Sequence, residues 1–122
     1  MQQMIHWVEI PCNDIKRAVA FYSSVLAIDM TIHEGIGMKT AFFPHTDAAQ
    51  SGGCLMQGEQ YVPSDQGAVI YLNAGKDLQD ALDRVKTAAG KILLPKTSIG
   101  ENGFMAHIKD TEGNKVGLYS KH

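Results

Sequence analysis

The sequence has little of three things: basic charge, long apolar runs and cysteine. Its 11 Lys and Arg residues against 13 Asp and Glu give a net charge of −2, without the basic excess that nucleic-acid binding requires. No apolar run approaches the roughly 20 residues of a membrane span. The stretch MQQMIHWVEI has neither a basic region nor a long apolar core, so we expect no secretion signal. These absences predict a cytoplasmic protein that binds neither nucleic acid nor membrane.

Only two cysteines are present, Cys12 and Cys54. Their spacing fits no secreted disulfide framework and no zinc knuckle, so we expect two reduced thiols. A reactive thiol needs a neighbour that lowers its pKa. We interpret Cys54 as a small cleft residue, with a nucleophilic or oxidation-sensitive thiol as the alternative.

What the sequence does contain is an internal repeat. The segments DIKRAVAFYSSVLA (14–27) and DLQDALDRVKTAAG (77–90) align without gaps. Each opens with an aspartate suited to an N-cap and carries apolar residues at helical spacing, which predicts helices at 14–26 and 77–89. An alternating strand precedes each helix, at 6–11 and 68–73. Three more strands follow each, at about 28–34, 38–44 and 52–58 and at about 91–94, 104–109 and 115–120.

The predicted element order is therefore βαβββ, twice. We interpret the 122 residues as one domain with modules at about 4–60 and 66–121. The fold class is α+β: two βαβββ modules forming a curved mixed sheet around a central cleft. Each helix covers one face of its own sheet, and the uncovered faces together form the cleft.

Three segments carry a resemblance to a known superfamily: EIPCNDIKRAVAFYSSVL, YLNAGKDLQDALDRVKTAAGKIL and DTEGNKVGL. The chain resembles the vicinal oxygen chelate superfamily of glyoxalase I, bleomycin-resistance proteins and extradiol dioxygenases. It is most similar to the bacterial single-domain branch of glyoxalase-related enzymes. One departure is Ala27, which stands where relatives usually end the first helix with glycine. The resemblance implies chemistry on a small molecule and a homodimer.

In metal-using relatives, the first strand of each module supplies a His or similar ligand, and the last strand supplies a Glu. The resemblance places these four positions on Trp7, Cys54, Val69 and Gly117, which cannot together hold a divalent metal. We therefore expect no metal and no other cofactor. Gly117, in the middle of a strand, is interpreted as the place of a lost glutamate with open space beside it.

The histidines offer weak alternatives for a metal site. A register shift of one residue would bring His6 to the first position, but it would also turn the apolar residues of that strand away from the core. His45 and His122 are interpreted as surface residues. His33 is adjacent to a carboxylate that points to the opposite face of its strand. His107 is interpreted as a buried histidine with a satisfied hydrogen bond, with a catalytic histidine as the alternative.

Strand alternation assigns ten residues to the cleft. They are Trp7, Glu9, Cys54, Met56, Val69, Tyr71, Asn73, Lys115, Gly117 and Tyr119, with Met105 and His107 as further candidates. Such an apolar and aromatic set with a few polar points is typical of a small-molecule pocket, although the same residues would also fill a packed core.

Glu9 is the only carboxylate of this set, and it is the candidate catalytic acid/base. A structural hydrogen bond or ion pair is the alternative role. Two functions remain open, a metal-independent lyase or isomerase acting on a small metabolite and a non-catalytic protein that sequesters a small molecule. A ligand of unknown identity is the expected partner in both.

Overall fold

The computed structural model describes residues 4–44 and 52–122, and these form eight strands, two helices and one short 3-10 helix. In chain order the elements are β1 (Trp7–Pro11), α1 (Ile15–Leu26), β2 (Ile32–Gly35), β3 (Met38–Phe42), β4 (Gly52–Gln57), β5 (Tyr71–Asn73), α2 (Leu78–Thr87), β6 (Lys91–Ser98), the 3-10 helix Gly100–Asn102, β7 (Phe104–Lys109) and β8 (Lys115–Ser120). The order βαβββ occurs twice, as predicted.

The strands form two mixed sheets of four. Sheet A has the order β1-β4-β3-β2, and sheet B has the order β5-β8-β7-β6. In each, the first strand of the module pairs in parallel with the last, and the remaining pairs are antiparallel. No ladder joins the two sheets within the described residues. The α+β fold of two βαβββ modules is confirmed, with its sheet divided into two open halves.

The two helices form where the repeat predicts them. The side chain of Asp14 caps α1 by accepting from the N–H of Arg17, and Asp77 caps α2 in the same way. The apolar stripe of each helix is buried against its own sheet. The helices also contact each other, because the guanidinium of Arg84 in α2 donates two hydrogen bonds, of 3.1 and 3.0 Å, to the carbonyl of Val25 in α1. One apolar core therefore runs through both modules.

The turn between β7 and β8, residues 110–114, joins the second module to the first; we call it the closing turn. Asp110 is buried and accepts a 2.6 Å hydrogen bond from the hydroxyl of Tyr22 in α1. Its other oxygen accepts from the N–H groups of Glu112 and Asn114. The amide of Asn114 donates to the carbonyl of Pro11 at 2.7 Å. The DxEGN motif therefore has a structural role, because its side chains connect the second module to the first.

Glu112 makes further hydrogen bonds between the closing turn and the first module. One of its oxygens accepts from the N–H groups of Asn13 and Asp14, both at 2.9 Å, and Arg17 donates to both carboxylate oxygens. Burial alone would raise the pKa of Glu112, but these hydrogen bonds together hold it below its ordinary range. The carboxylate is therefore ionised and satisfied inside the protein.

Several predicted strand boundaries need correction. β2 begins at Ile32 and not at residue 28. The chain first turns after α1, where the N–H of Ile28 donates to the carbonyl of Ser23. β5 contains only Tyr71–Asn73, so Val69 lies outside the ladder. β6 continues to Ser98 through a proline, which is tolerated because β6 is an edge strand and its register shifts there.

Candidate functional site

The open face of sheet A carries a group of aromatic side chains. Trp7 and Phe42 are 41% and 47% exposed, and their ring centroids lie 6.1 Å apart. His33 contacts the other side of Phe42, with centroids 5.6 Å apart. Strand alternation found Trp7 but missed Phe42, whose position opposite Cys54 in the ladder was the available signal. The face presents flat apolar surfaces that a small organic ligand can contact.

Glu9 lies on the same face, and among the described residues its carboxylate has one hydrogen-bond partner. The hydroxyl of Tyr61 donates to Glu9 at 2.9 Å, and this bond raises the pKa of Tyr61. Tyr61 belongs to the segment that connects β4 to β5, which we call the connecting segment (58–70). Sequence reasoning missed it because a connecting segment has no periodicity; an aromatic residue in a polar stretch was the only indication. Glu9 therefore lies at the surface with a neutral hydrogen-bond donor, and it forms no ion pair with the residues that the structure describes.

Two of the predicted cleft residues are buried rather than open. Cys54 and Met56 occupy the expected face of β4, but they are only 2% and 6% exposed. Burial raises the pKa of Cys54, the charge of Glu9 adds to the effect, and a hydrogen bond with Trp7 only partly opposes it. A thiol with a raised pKa is a poor nucleophile, so the environment of Cys54 disfavours a nucleophilic role. The sulfur of Met56 accepts from the hydroxyl of Thr40 at 3.2 Å.

On sheet B the expected open space beside Gly117 is filled. A Cβ placed on Gly117 would overlap the ring of Tyr71, which lies across the glycine. The hydroxyl of Tyr71 is 2.7 Å from Nε2 of His107 on the far side. The prediction of a void was therefore wrong, because an aromatic side chain from the neighbouring strand replaces the missing one.

The other predicted residues of sheet B are less closely connected. The hydroxyl of Tyr119 donates to the carbonyl of Asn102, and Asn73 is exposed. Lys115 follows the same face of β8, two residues before Gly117. It also lines a cavity of about 160 Å³ between the modules, together with Glu9 and residues of the connecting segment. This cavity is where residues of both open faces meet.

A wider cavity of about 520 Å³ lies at the β2–β3 turn. Its lining includes none of the predicted cleft residues, and its one lysine, Lys39, lies 3.9 Å from Glu34. Much of its wall is glycine backbone at Gly35, Gly37 and Gly58. We place the candidate site at the smaller cavity, because Glu9 and Lys115, two side chains of opposite charge from the two modules, both line it.

The residues that the structure describes do not fit the metal site of metal-using relatives. Within residues 4–44 and 52–122, no three His, Cys, Asp or Glu side chains come together in a way that could hold a metal ion. Of the four positions taken from the resemblance, Val69 is outside the ladder, Gly117 lies beneath the Tyr71 ring, and the thiol of Cys54 is hydrogen-bonded to Trp7. Both cysteines are free. No helix of the described part is long and apolar enough to cross a membrane.

Solved structures with this fold include enzymes and resistance proteins. A glyoxalase I mutant from Zea mays aligns with a TM-score of 0.73 and 21% identity, over 95% of this chain and 46% of the maize chain. The fosfomycin resistance protein FosX from Listeria monocytogenes aligns with a TM-score of 0.67 and 13% identity, over 98% and 94%. A glyoxalase-related enzyme from Fulvimarina pelagi aligns with a TM-score of 0.66 and 12% identity, over 97% and 88%.

These identities are low, so the structures show the fold alone. A comparison with curated protein sequences gives no match. The model of the Glyoxalase/Bleomycin resistance protein/Dioxygenase superfamily, however, matches residues 4–118, nearly the whole sequence. The chain therefore belongs to the glyoxalase/bleomycin resistance protein/dioxygenase superfamily.

Proposed function

We propose that the protein binds a small organic metabolite at the cavity between its modules and acts on it as a metal-independent lyase or isomerase. The observation that carries this proposal is the shared lining of the cavity by Glu9 and Lys115. A volume of about 160 Å³ corresponds to about five water molecules at roughly 30 Å³ each, which suits a compact metabolite. The carboxylate of Glu9 is the acid/base of the reaction.

A non-catalytic binder is the second candidate, and one observation favours it. The aromatic face of sheet A is built for contact, whereas Glu9 has only Tyr61 as a hydrogen-bond partner among the described residues. One similar structure is a fosfomycin resistance protein. A protein of this kind would sequester a small molecule without changing it.

One experiment separates the two functions. Trp7 is the only tryptophan and lies two residues before Glu9 in β1, on the same face, so we expect its fluorescence to change when a metabolite binds beside Glu9. We expect Glu9→Gln to retain the Kd of an identified ligand while turnover falls at least 100-fold, as loss of an acid/base group predicts. Glu101→Gln, an exposed carboxylate in the 3-10 helix, is the control and should retain both. Binding without turnover in the unaltered protein would identify a binder, and no binding by any metabolite would contradict both functions.

We also propose that the protein is cytoplasmic, forms a homodimer and requires no metal or other cofactor. Two free, buried cysteines are consistent with a reducing compartment. The metal question is decided by elemental analysis of protein purified without added metal. Stoichiometric Zn, Ni, Fe or Mn would contradict the proposal.

A further inference from the structure

Tyr71 and His107 form a hydrogen-bonded pair that spans a whole strand of sheet B. Tyr71 is on β5 and His107 on β7, with β8 between them. Neighbouring strands lie about 4.8 Å apart, so the two backbones are separated by roughly 10 Å. Only a long side chain lying flat across β8 can bridge that distance, and Gly117 leaves the room for it. The glycine therefore makes possible the 2.7 Å contact between the hydroxyl and Nε2.

The pair is placed where a ligand can reach the tyrosine first. Tyr71 is 48% exposed, whereas His107 is half-buried beside it. With the ring proton of His107 on Nδ1, Nε2 accepts the hydroxyl proton of Tyr71. The tyrosine oxygen then keeps a free lone pair towards the open face. In a pair of this kind the tyrosine oxygen takes a proton from the ligand, and the imidazole accepts the proton that the tyrosine hydroxyl gives up.

A lysine, Lys115, lies two residues from Gly117 on the same face of β8 as the pair. Lys109 and Lys115 are opposite each other in the β7–β8 ladder. Lys109 forms an ion pair of 3.1 Å with Asp65, but the side chain of Lys115 has no ion pair or hydrogen bond among the described residues. Lys115 lines the intermodule cavity and lies two residues from Gly117 on the same face. The ammonium group is therefore available to an anion bound beside Tyr71.

From these neighbours we infer that Tyr71, backed by His107, is the second proton-transfer group of the site, and that the substrates are small 2-oxo carboxylates. The inference rests on the proposed function, since it assumes that a small metabolite occupies this region. The carboxylate binds Lys115, and the carbonyl makes the adjacent C–H acidic. Tyr71 contacts the substrate, and His107 is a positioning residue that holds and receives the hydroxyl proton.

The step needs no oxidant, reductant or second substrate. The C–H bond adjacent to the carbonyl breaks, and its electron pair forms the C=C bond of an enolate with the charge on oxygen. The substrate proton goes to the Tyr71 oxygen as the hydroxyl proton passes to Nε2 of His107, leaving an imidazolium. Reversal returns a proton to carbon. In D2O the returned proton is a deuteron, so the step is visible as hydrogen exchange.

The test follows deuterium incorporation into pyruvate and 2-oxobutyrate by NMR, with Kd from Trp7 fluorescence. We expect exchange in the unaltered protein and at least a 100-fold loss in Tyr71→Phe and in His107→Gln, with Kd within about threefold. His107→Gln keeps an acceptor for the tyrosine hydroxyl but cannot take its proton, so a purely structural role would leave the rate intact. His122→Gln is the matched control and should exchange at the normal rate. Lys115→Ala should weaken Kd about tenfold, and Lys115→Arg should restore it.

A second measurement tests the hydrogen bond between Tyr71 and His107 without any substrate. The nitrogen NMR spectrum of neutral His107 should show the proton on Nδ1, and Tyr71→Phe should shift the Nε2 signal. A proton on Nε2, or unchanged exchange in both variants, would overturn the inference. So would the absence of exchange with either 2-oxo acid. If other metabolites still bind in the fluorescence screen, the proposed function survives that failure.

Discussion

At the scale of single residues, Gly117 and Tyr71 show how one side chain can stand in for another. The ring of Tyr71 occupies the position of the missing side chain and reaches His107 across the strand. We expect Gly117→Ala to displace the ring, break the contact with His107 and cost about 1 kcal/mol, because the half-exposed ring can move into solvent.

A double-mutant cycle checks this prediction. The cost of Gly117→Ala, measured by urea unfolding, should largely disappear when Tyr71 is already alanine. Equal costs in both backgrounds would mean that the glycine is required by the backbone of β8 and not by the ring.

Sequence reasoning reached some site residues but not others. The exposed positions of Trp7 and Glu9 followed from strand alternation, since alternation fixes which face a side chain takes. It could not predict that Cys54 would be covered on that face. It could not place Tyr61 either, because the path of a connecting segment depends on tertiary contacts.

At the scale of secondary structure elements, α1 ends on a residue that is poorly suited to its conformation. Ala27 has φ 55° and ψ 52°, the left-handed region in which a Cβ is unfavourable. Ala27→Gly should raise the free energy of unfolding by about 0.5–1 kcal/mol, after allowing for the greater flexibility of glycine in the unfolded chain.

The control for this change lies in the same helix. Ala20 is exposed in the interior of α1, where glycine costs about 1 kcal/mol, so Ala20→Gly should act in the opposite direction. Chemical denaturation of both variants gives the comparison. A loss of stability in Ala27→Gly would show that the left-handed conformation is not strained.

The helices and central strands were predictable because each has a strong period, and their caps are local. Of the four edge strands, β1 was predicted closely, at 6–11, but the bounds of β2, β5 and β6 were not. β6 extends through Pro95 and β5 is shorter than its apolar pattern, since an edge strand ends where its single neighbour stops pairing. Pairing is a tertiary property that periodicity does not contain.

At the scale of the whole molecule, the closing turn couples stability to pH. The pKa of Glu112 is lower in the folded protein than its unfolded value of about 4.5. The ionised carboxylate of Glu112 therefore contributes fully to the free energy of unfolding above that value. This contribution is lost as the pH falls through the pKa of the folded protein. We expect Glu112→Gln to lower the free energy of unfolding at pH 7 by about 2 kcal/mol, since charged hydrogen bonds contribute about 1.5–3 and Arg17 is half-exposed.

The decisive observation is how the difference in the free energy of unfolding between Glu112→Gln and the unaltered protein changes below pH 4.5. Urea titrations between pH 7 and pH 3 should show a smaller difference between Glu112→Gln and the unaltered protein as the pH falls. Asp65→Asn removes an ion pair from the surface and should change stability by less than about 0.5 kcal/mol at pH 7. A constant difference for Glu112→Gln would contradict the role of its ionised form.

The edges of the two sheets carry the prediction of a homodimer. β1 and β5 are edge strands, and within the described residues each pairs on one side only, so a second chain can cover these edges while the faces of the sheets stay open to a ligand. Light scattering at micromolar concentration should give twice the 13.3 kDa of one chain. Asn73→Pro in β5 should shift the mass towards the monomer, because proline disfavours pairing at an edge, whereas Ile36→Asp, fully exposed in the β2–β3 turn, should not. A monomeric unaltered protein would refute this assembly.

The closing turn also determines when the protein can fold during its synthesis. Its bonds to the chain just before α1 connect positions 98 to 103 residues apart. The hydrogen bonds at the N-terminus of α1 therefore cannot all form until the β7–β8 hairpin has left the ribosome. Contacts that bridge such long stretches of chain slow folding, and a waiting module keeps apolar surface exposed to chaperones and to aggregation. The half of the protein that is made first is thus the half that is finished last.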